Sequence, residues 1–247
     1  MSMLRRWLRR FVPLSARQAL AQIRRRWHDR ANNHEISLVR YLDNLDGYTL
    51  QVEVSQPIMR SALFENKLSN LRCGAQRLNL CTIGPNQKWS FWSHVKRPTG
   101  KNGFVVGRNL VNGQLTRQIG GGLCQLSSLL YHLSLSAGLS VIERHAHSVD
   151  IYEEQDRFTP LGADATVVWG FKDLRLSNPH RVAVVIECFV HENILTGRVY
   201  ARQTLPKYTV DFVRQQIDVQ HVVVNTWVNQ QPLCQTRYEQ KQGLALR

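Results

Sequence analysis

The feature that most constrains the fold of this chain is an uncharged run, residues 118–142, that opens QIGGGLCQLSSLLYHLSLSAG: three glycines and a cysteine leading into leucines and serines. A run of this length without Asp, Glu, Lys or Arg is long enough to cross a bilayer. Its composition argues otherwise. Each leucine contributes only about −0.5 kcal/mol to insertion, and Gln125, His132 and the interspersed serines and glycines offset that gain. Leu126, Leu129, Leu130, Leu133 and Ala137 fall at i, i+3, i+4, i+7 and i+11, the stripe of a helix with one face in a core. The run predicts a buried helix over 124–137, capped by Gly138 and entered through Gly120, Gly121 and Gly122.

Glycine suits a backbone that must take positive φ or approach another group closely. Here it precedes a first helical turn holding Cys124 and Gln125, where unpaired N–H groups and the positive end of the helix dipole favour a thiolate. Cys124 is the candidate nucleophile, and the turn at 122–125 the candidate oxyanion site. A base has to come from elsewhere in the chain. In SVIERHAHSVDIY, strand alternation puts Glu143, His145 and His147 on one face, with Arg144 and Asp150 on the other. Asp164, just before TVVWGF, is placed to orient an imidazole. Helix with thiol, strand with histidine, strand with acid is the chain order of papain-type and transglutaminase-like enzymes. The expected cleft is lined by Gly120, Gly121, Gly122, Gln125, Glu143, Arg144 and His145 around Cys124, His147 and Asp164.

Other readings of these residues stay open. Cys124 suits a packed thiol, and the histidines suit a sheet rim. The His-x-His pair with Glu143 or Cys124 also suits a zinc site, although no third-ligand motif accompanies it, so no metal or cofactor is assigned. The same cleft serves equally for a non-catalytic module that holds a peptide or glycan fragment.

Around this centre, Leu68, Leu71, Ala75 and Leu78 mark a second helix near 64–80, ended by Gly84-Pro85. Residues 88–91 read as a strand, and FVVGRNLVNGQLTRQI as a hairpin turning at Asn112-Gly113. Residues 31–62, with their YTLQVEV alternation, read as a connecting segment, and strands dominate after 139. The expectation is an α+β fold of two main helices on a largely antiparallel sheet, of papain or transglutaminase type. The five cysteines form no paired framework, which favours a reducing compartment.

The formal net charge of +14 is unevenly placed, for residues 1–30 carry nine arginines against the single acid Asp29. Leu4, Trp7, Leu8 and Phe11, then Leu20, Ile23 and Trp27 after Pro13, give two short basic amphipathic helices. Such a segment lies in a headgroup layer, each charge contributing about 1 kcal/mol on an anionic surface, or docks on its own domain. Nucleic acid ranks below both, since no recognition motif accompanies the arginines. No secretory h-region follows them, so the expected location is cytoplasmic, peripheral on the inner face of the membrane. Residues 1–33 form this segment, and 34–247 a single domain.

Several stretches taken together resemble the VanW family: ENKLSNLR at 65–72, KWSFWSHVKRPT at 88–99, NGF at 102–104, GGGLCQLSSLLY at 120–131, ERHAHSVD at 143–150 and GADATVVWGFKDLRLSN at 162–178. The string GGGLCQLS is specific to that family, and the similarity spans about residues 60–205. The resemblance implies a setting of glycopeptide resistance and of peptidoglycan or its precursors. It brings no settled activity and no established catalytic residues. Its pattern holds a histidine at the place of His147 and is looser at that of His145, which favours His147 as base. The expected function is a Cys-dependent hydrolase or acyltransferase acting on a peptidoglycan-type peptide, with an anionic membrane surface as a further partner through residues 1–30.

Overall fold

The leucine stripe of the uncharged run closes on the interior of a mixed α+β structure. The chain is described here from a computed structural model, covering residues 12–38, 40–111, 114–152 and 157–241. Helix α1 is Leu14–Ala31, α2 is Phe64–Gln76, the short α3 is Phe91–Val95, and α4, the helix of the uncharged run, is Leu123–Ser136. Leu126, Leu129, Leu130 and Leu133 are buried, as the stripe requires.

Among the described residues the strands fall into four sheets. The main one is five-stranded, in the order β1 (Arg40–Tyr41), β3 (Cys81–Ile83), β10 (Val184–His191), β11 (Ile194–Ala201), β2 (Thr49–Pro57), antiparallel throughout. Helices α2 and α4 lie on this sheet and against each other. Gly197 of β11 lets α4 settle there, because a Cβ at that position would stand 3.1 Å from Leu129 and Leu133. A second sheet runs β12 (Val210–Gln216), β13 (His221–Val228), β14 (Gln231–Gln240), β8 (Val149–Asp150), the last pair parallel. A third joins β4 (Lys88–Ser90), β9 (Arg175–Ser177) and β7 (Ser140–Glu143), and β5 (Val106–Val111) pairs with β6 (Gln114–Ile119) as a hairpin. The hairpin register leaves residues 112 and 113 between the strands, so the expected Asn112-Gly113 turn lies outside the described residues.

Several elements differ from the sequence reading. Helix α2 stops at Gln76; the chain turns at Leu80, with φ +57°, and Cys81–Ile83 enters the main sheet. Thr49–Pro57, read as part of a connection, is an edge strand of that sheet. The ERHAHSVDIY strand ends at Glu143 and resumes only at Val149. The DATVVWGF segment joins no sheet beyond a bridge between Val168 and Lys172. Its backbone groups are satisfied otherwise. Ala165 N donates to Ser128 Oγ at 3.0 Å, Ser127 Oγ donates to Ala165 O at 2.6 Å, and Thr166 N donates to His145 O at 2.6 Å. The fold is α+β, but neither His147 nor Asp164 rides on a ladder strand as in a papain-type arrangement.

Helix α1 docks by its polar side. Asp29, only 7 % exposed, accepts from Arg175 Nη1 at 2.6 Å, Arg25 donates to both carboxylate oxygens of Glu143 at 2.9 Å, and Gln18 Nε2 reaches Trp169 O at 3.3 Å. Leu4, Trp7, Leu8 and Phe11 lie outside the described residues. No helix among the described residues is long and apolar enough to cross a membrane.

The three glycines have separate reasons. Gly120 and Gly122 take φ of +82° and +101°. Gly121 instead lies against the backbone of β5, where an added Cβ would stand 2.2 Å from Gly107 C. Asn70, fully buried on α2, holds this junction by donating Nδ2 to Gly121 O and Val105 O and accepting from Val105 N. Gly121→Ala should therefore cost about 3 kcal/mol, the upper range for overpacking, read as a lowered midpoint in urea. A variant as stable as wild type would contradict the close approach.

Candidate functional site

Cys124 occupies the second position of α4, after the left-handed Gly122. Two N–H groups of the turn are used internally, Leu123 N by Gly120 O and Gln125 N by Gly122 O. Those of Gly122 and of Cys124 itself have no backbone acceptor among the described residues. An oxyanion beside the sulfur would meet these two donors rather than the whole turn.

His147 reaches the same place from the irregular stretch between β7 and β8. Its Nδ1 donates to Asp164 Oδ2 at 2.8 Å, and its main-chain N donates to the same oxygen at 2.6 Å. The ring also acts on the Cys124 thiol, and with Nδ1 spent on Asp164 the nitrogen left for the sulfur is Nε2; the thiol's own hydrogen bond runs to Val167 O, at 3.9 Å. Thiol, imidazole and carboxylate thus stand in series.

Asp164 is fixed from its other side. Its Oδ1 accepts from Arg144 Nη2 at 3.0 Å and from the Tyr238 hydroxyl. Arg144 also donates to Asp164 O, Gly162 O and Thr236 Oγ1, at 2.8 to 3.0 Å, and lies 4.9 Å over the Tyr131 ring. A buried carboxylate with this many donors is stable only while all are present; removing one partner of such a pair costs about 3–5 kcal/mol.

The electrostatics follow from this packing. Burial alone would push the Asp164 carboxyl up, but the hydrogen bonds of His147 and the charge of Arg144 hold it well below the carboxylate range. Burial would likewise push His147 down; its bonds to Asp164 and to Cys124 outweigh that and raise it to about 10. Burial opposes the Cys124 thiolate as well, yet the hydrogen bond and charge of His147, with the charge of Lys172, bring the thiol below its ordinary value. Both shifts run toward the charged forms, thiolate and imidazolium, against the burial that opposes them.

A cavity opens on this pair, lined by Cys124, Gln125, His147, Tyr152, Phe158 and Lys67 among others. Gly122 lies at its wall, while Gly120 and Gly121 serve the turn behind it. Gln125 is buried and donates Nε2 to Pro57 O at 2.9 Å. Arg144 acts through Asp164. Glu143 and His145 are elsewhere: His145 Nε2 bonds Glu143 Oε1 at 2.8 Å, and Glu143 is taken by Arg25 of α1 and by Asp173 N. The two histidines therefore hold different carboxylates. Among the described residues no three His, Cys, Asp or Glu side chains are grouped to hold a metal.

Sequence reasoning missed the supports. Ser127 and Ser128 tie the strand-less segment carrying Asp164 to α4, and two buried serines inside a leucine helix were the available signal, since buried hydroxyls need partners. Tyr238, Thr236 and Lys67 carried none.

A family model described as VanW like protein matches residues 66–200. The chain is 34 % identical over 137 residues to the vancomycin B-type resistance protein VanW of Enterococcus faecalis (strain ATCC 700802 / V583), covering 56 % of this chain and 50 % of that one. It is 30 % identical over 122 residues to the uncharacterized protein YoaR of Bacillus subtilis (strain 168), covering 49 % and 39 %. The matches thus span half or less of the curated relatives' lengths. No solved structure matches. Cys124, His147 and Asp164 fall inside the matched region, whereas Thr236 and Tyr238 lie beyond it.

Proposed function

We propose that this chain, which belongs to the family of VanW-like proteins, is a thiol-dependent acyltransferase or amidohydrolase acting on a peptide-type substrate of the cell envelope. One observation carries the reading, the series Cys124–His147–Asp164 at a helix N-terminus and open to a cavity. The envelope setting rests on the vancomycin-resistance name of one relative and is part of the proposal.

The chemistry follows from the placement. The Cys124 thiolate attacks the substrate carbonyl carbon, forming a C–S bond, and the carbonyl oxygen takes up the negative charge opposite the Gly122 and Cys124 N–H groups. His147 Nε2–H gives its proton to the departing amine as the C–N bond breaks, leaving a thioester and a neutral imidazole. Water or an acceptor amine then attacks the thioester, His147 takes the proton back, and the thiolate returns. Asp164 holds the ring orientation and stabilises its charged form throughout. A binding module would need only the cavity; it has no use for a thiolate paired with an imidazolium.

Iodoacetamide tests this without a known substrate. Cys124 should be alkylated at pH 6 to 7 faster than the other four cysteines, and His147→Ala should slow it by about tenfold or more as the thiol returns toward an ordinary value of about 8.5. A Cys124 that is inert in the folded protein, or a rate indifferent to His147, would leave the cavity as a binding site with a packed thiol.

A further inference from the structure

A second charged group shares the cavity with Cys124. Lys67 leaves α2 and crosses the mouth of the α4 junction: a Cβ on Gly122 would lie 2.9 Å from Lys67 Cγ, so the absence of a side chain at 122 is what admits the lysine stem. Its Nζ stands 5.7 Å over the Phe158 ring. It has no carboxylate partner among the described residues, for Asp150 is held by Arg157 and Asp164 by Arg144 and His147. Burial, and then the charge of Arg108 in the same cavity, lower the ammonium to about 8. Tyr152, Phe158, Leu161 and Met59 make much of the remaining lining apolar. No acid among the described residues returns the solvation lost by the ammonium, and an anion entering from the cavity does.

We propose that Lys67 binds a carboxylate on the ligand that Cys124 attacks, so that the substrate is a peptide bearing a free carboxylate close to the bond that is cleaved. This rests on the nucleophile reading above. Arg60 and Arg108 also line the cavity, so its field is positive beyond Lys67. A carboxylate is the anion that a peptide substrate of Cys124 carries, and phosphate, which calls for several donors, is the alternative that the test separates.

The test compares an anionic and a neutral alkylating reagent at Cys124. The ratio of iodoacetate to iodoacetamide rates should be high in wild type, fall about fivefold in Lys67→Met, as loss of a neighbouring unit charge implies, and be kept in Lys67→Arg. Raising salt should shrink the wild-type ratio, a readout that needs no variant to fold. An N-acetylated dipeptide with a free C-terminal carboxylate should protect Cys124, and its C-terminal amide should not. An unchanged ratio in Lys67→Met, equal protection by acid and amide, or protection by inorganic phosphate alone overturns the proposal. Slow alkylation by iodoacetamide in wild type instead overturns the nucleophile, so the two failures are distinct.

A different observation carries a second inference. With Gln18, Arg25 and Asp29 turned to the domain, α1 presents Leu20, Ile23 and Trp27 to solvent, Trp27 at 71 % exposure, between the exposed Arg24 and Arg26. The one acid of α1 is on the docked side, so its outward face pairs an apolar stripe with positive charge alone. We infer that this face lies in the headgroup layer of a bilayer containing anionic lipid. Full-length protein should sediment with vesicles of mixed phosphatidylglycerol and phosphatidylcholine and not with phosphatidylcholine alone. Replacing Leu20, Ile23 and Trp27 by Gln, which leaves the docked side untouched, should weaken this by at least about tenfold without changing the melting temperature. No binding to the anionic vesicles, undiminished binding by the triple variant, or a concentration-dependent dimer that the triple variant loses would contradict it.

Discussion

The Asp164 carboxylate is the point on which the site depends. It is buried, stays ionised, and is held by donors from three places: His147 from the stretch after β7, Arg144 beside it, and Tyr238 from β14. An ion in such a position is tolerable only when fully hydrogen-bonded. The same bonds set the direction of the imidazole, the imidazole lowers the thiol, and the thiol faces the cavity. Stability and the state of the thiol are therefore coupled through one group, and changes at Tyr238, in a strand that the family model does not reach, bear on a cysteine that it does.

Helix α4 supplies the other half of the arrangement. Its leucines fix it to the main sheet, Ser127 and Ser128 hold the segment that carries Asp164, and its N-terminus presents the sulfur. The three glycines reconcile a core helix with an open site. One permits the backbone of β5 to touch the turn, two take positive φ, and the bare face of Gly122 admits Lys67. Each would be a clash or a strain with any side chain present.

Much of this was legible in the sequence, for physical reasons that can be named. The period of the leucines identified α4, and a helix N-terminus behind glycines singled out Cys124. Chain order pointed to His147 and Asp164. Alternation misled where it assumed a continuous strand: β7 ends at Glu143, and beyond it His145 and His147 turn to different carboxylates. DATVVWGF had strand composition, but Ala165 is held by serine hydroxyls, Thr166 by the His145 carbonyl, and Trp169 and Phe171 by side chains of α1, which no local pattern reports. Tyr238, Thr236 and Lys67 meet the site only through tertiary packing, and the polar-side docking of α1 rests on Arg175 and Glu143, more than a hundred residues away.

The central claim is that His147 carries a proton because Asp164 and Cys124 are beside it. The sign of the effect is definite: a raised imidazole value keeps the ring charged from low pH through neutrality, and the charge is lost only as pH rises toward about 10. The most direct measurement is a titration of the His147 ring by nitrogen and carbon NMR in wild type and in Cys124→Ser. The account predicts a ring still protonated at pH 8 in wild type and a lowered value once the thiolate is removed. A ring that titrates near its ordinary value of about 6.5, unmoved by Cys124→Ser, would contradict it.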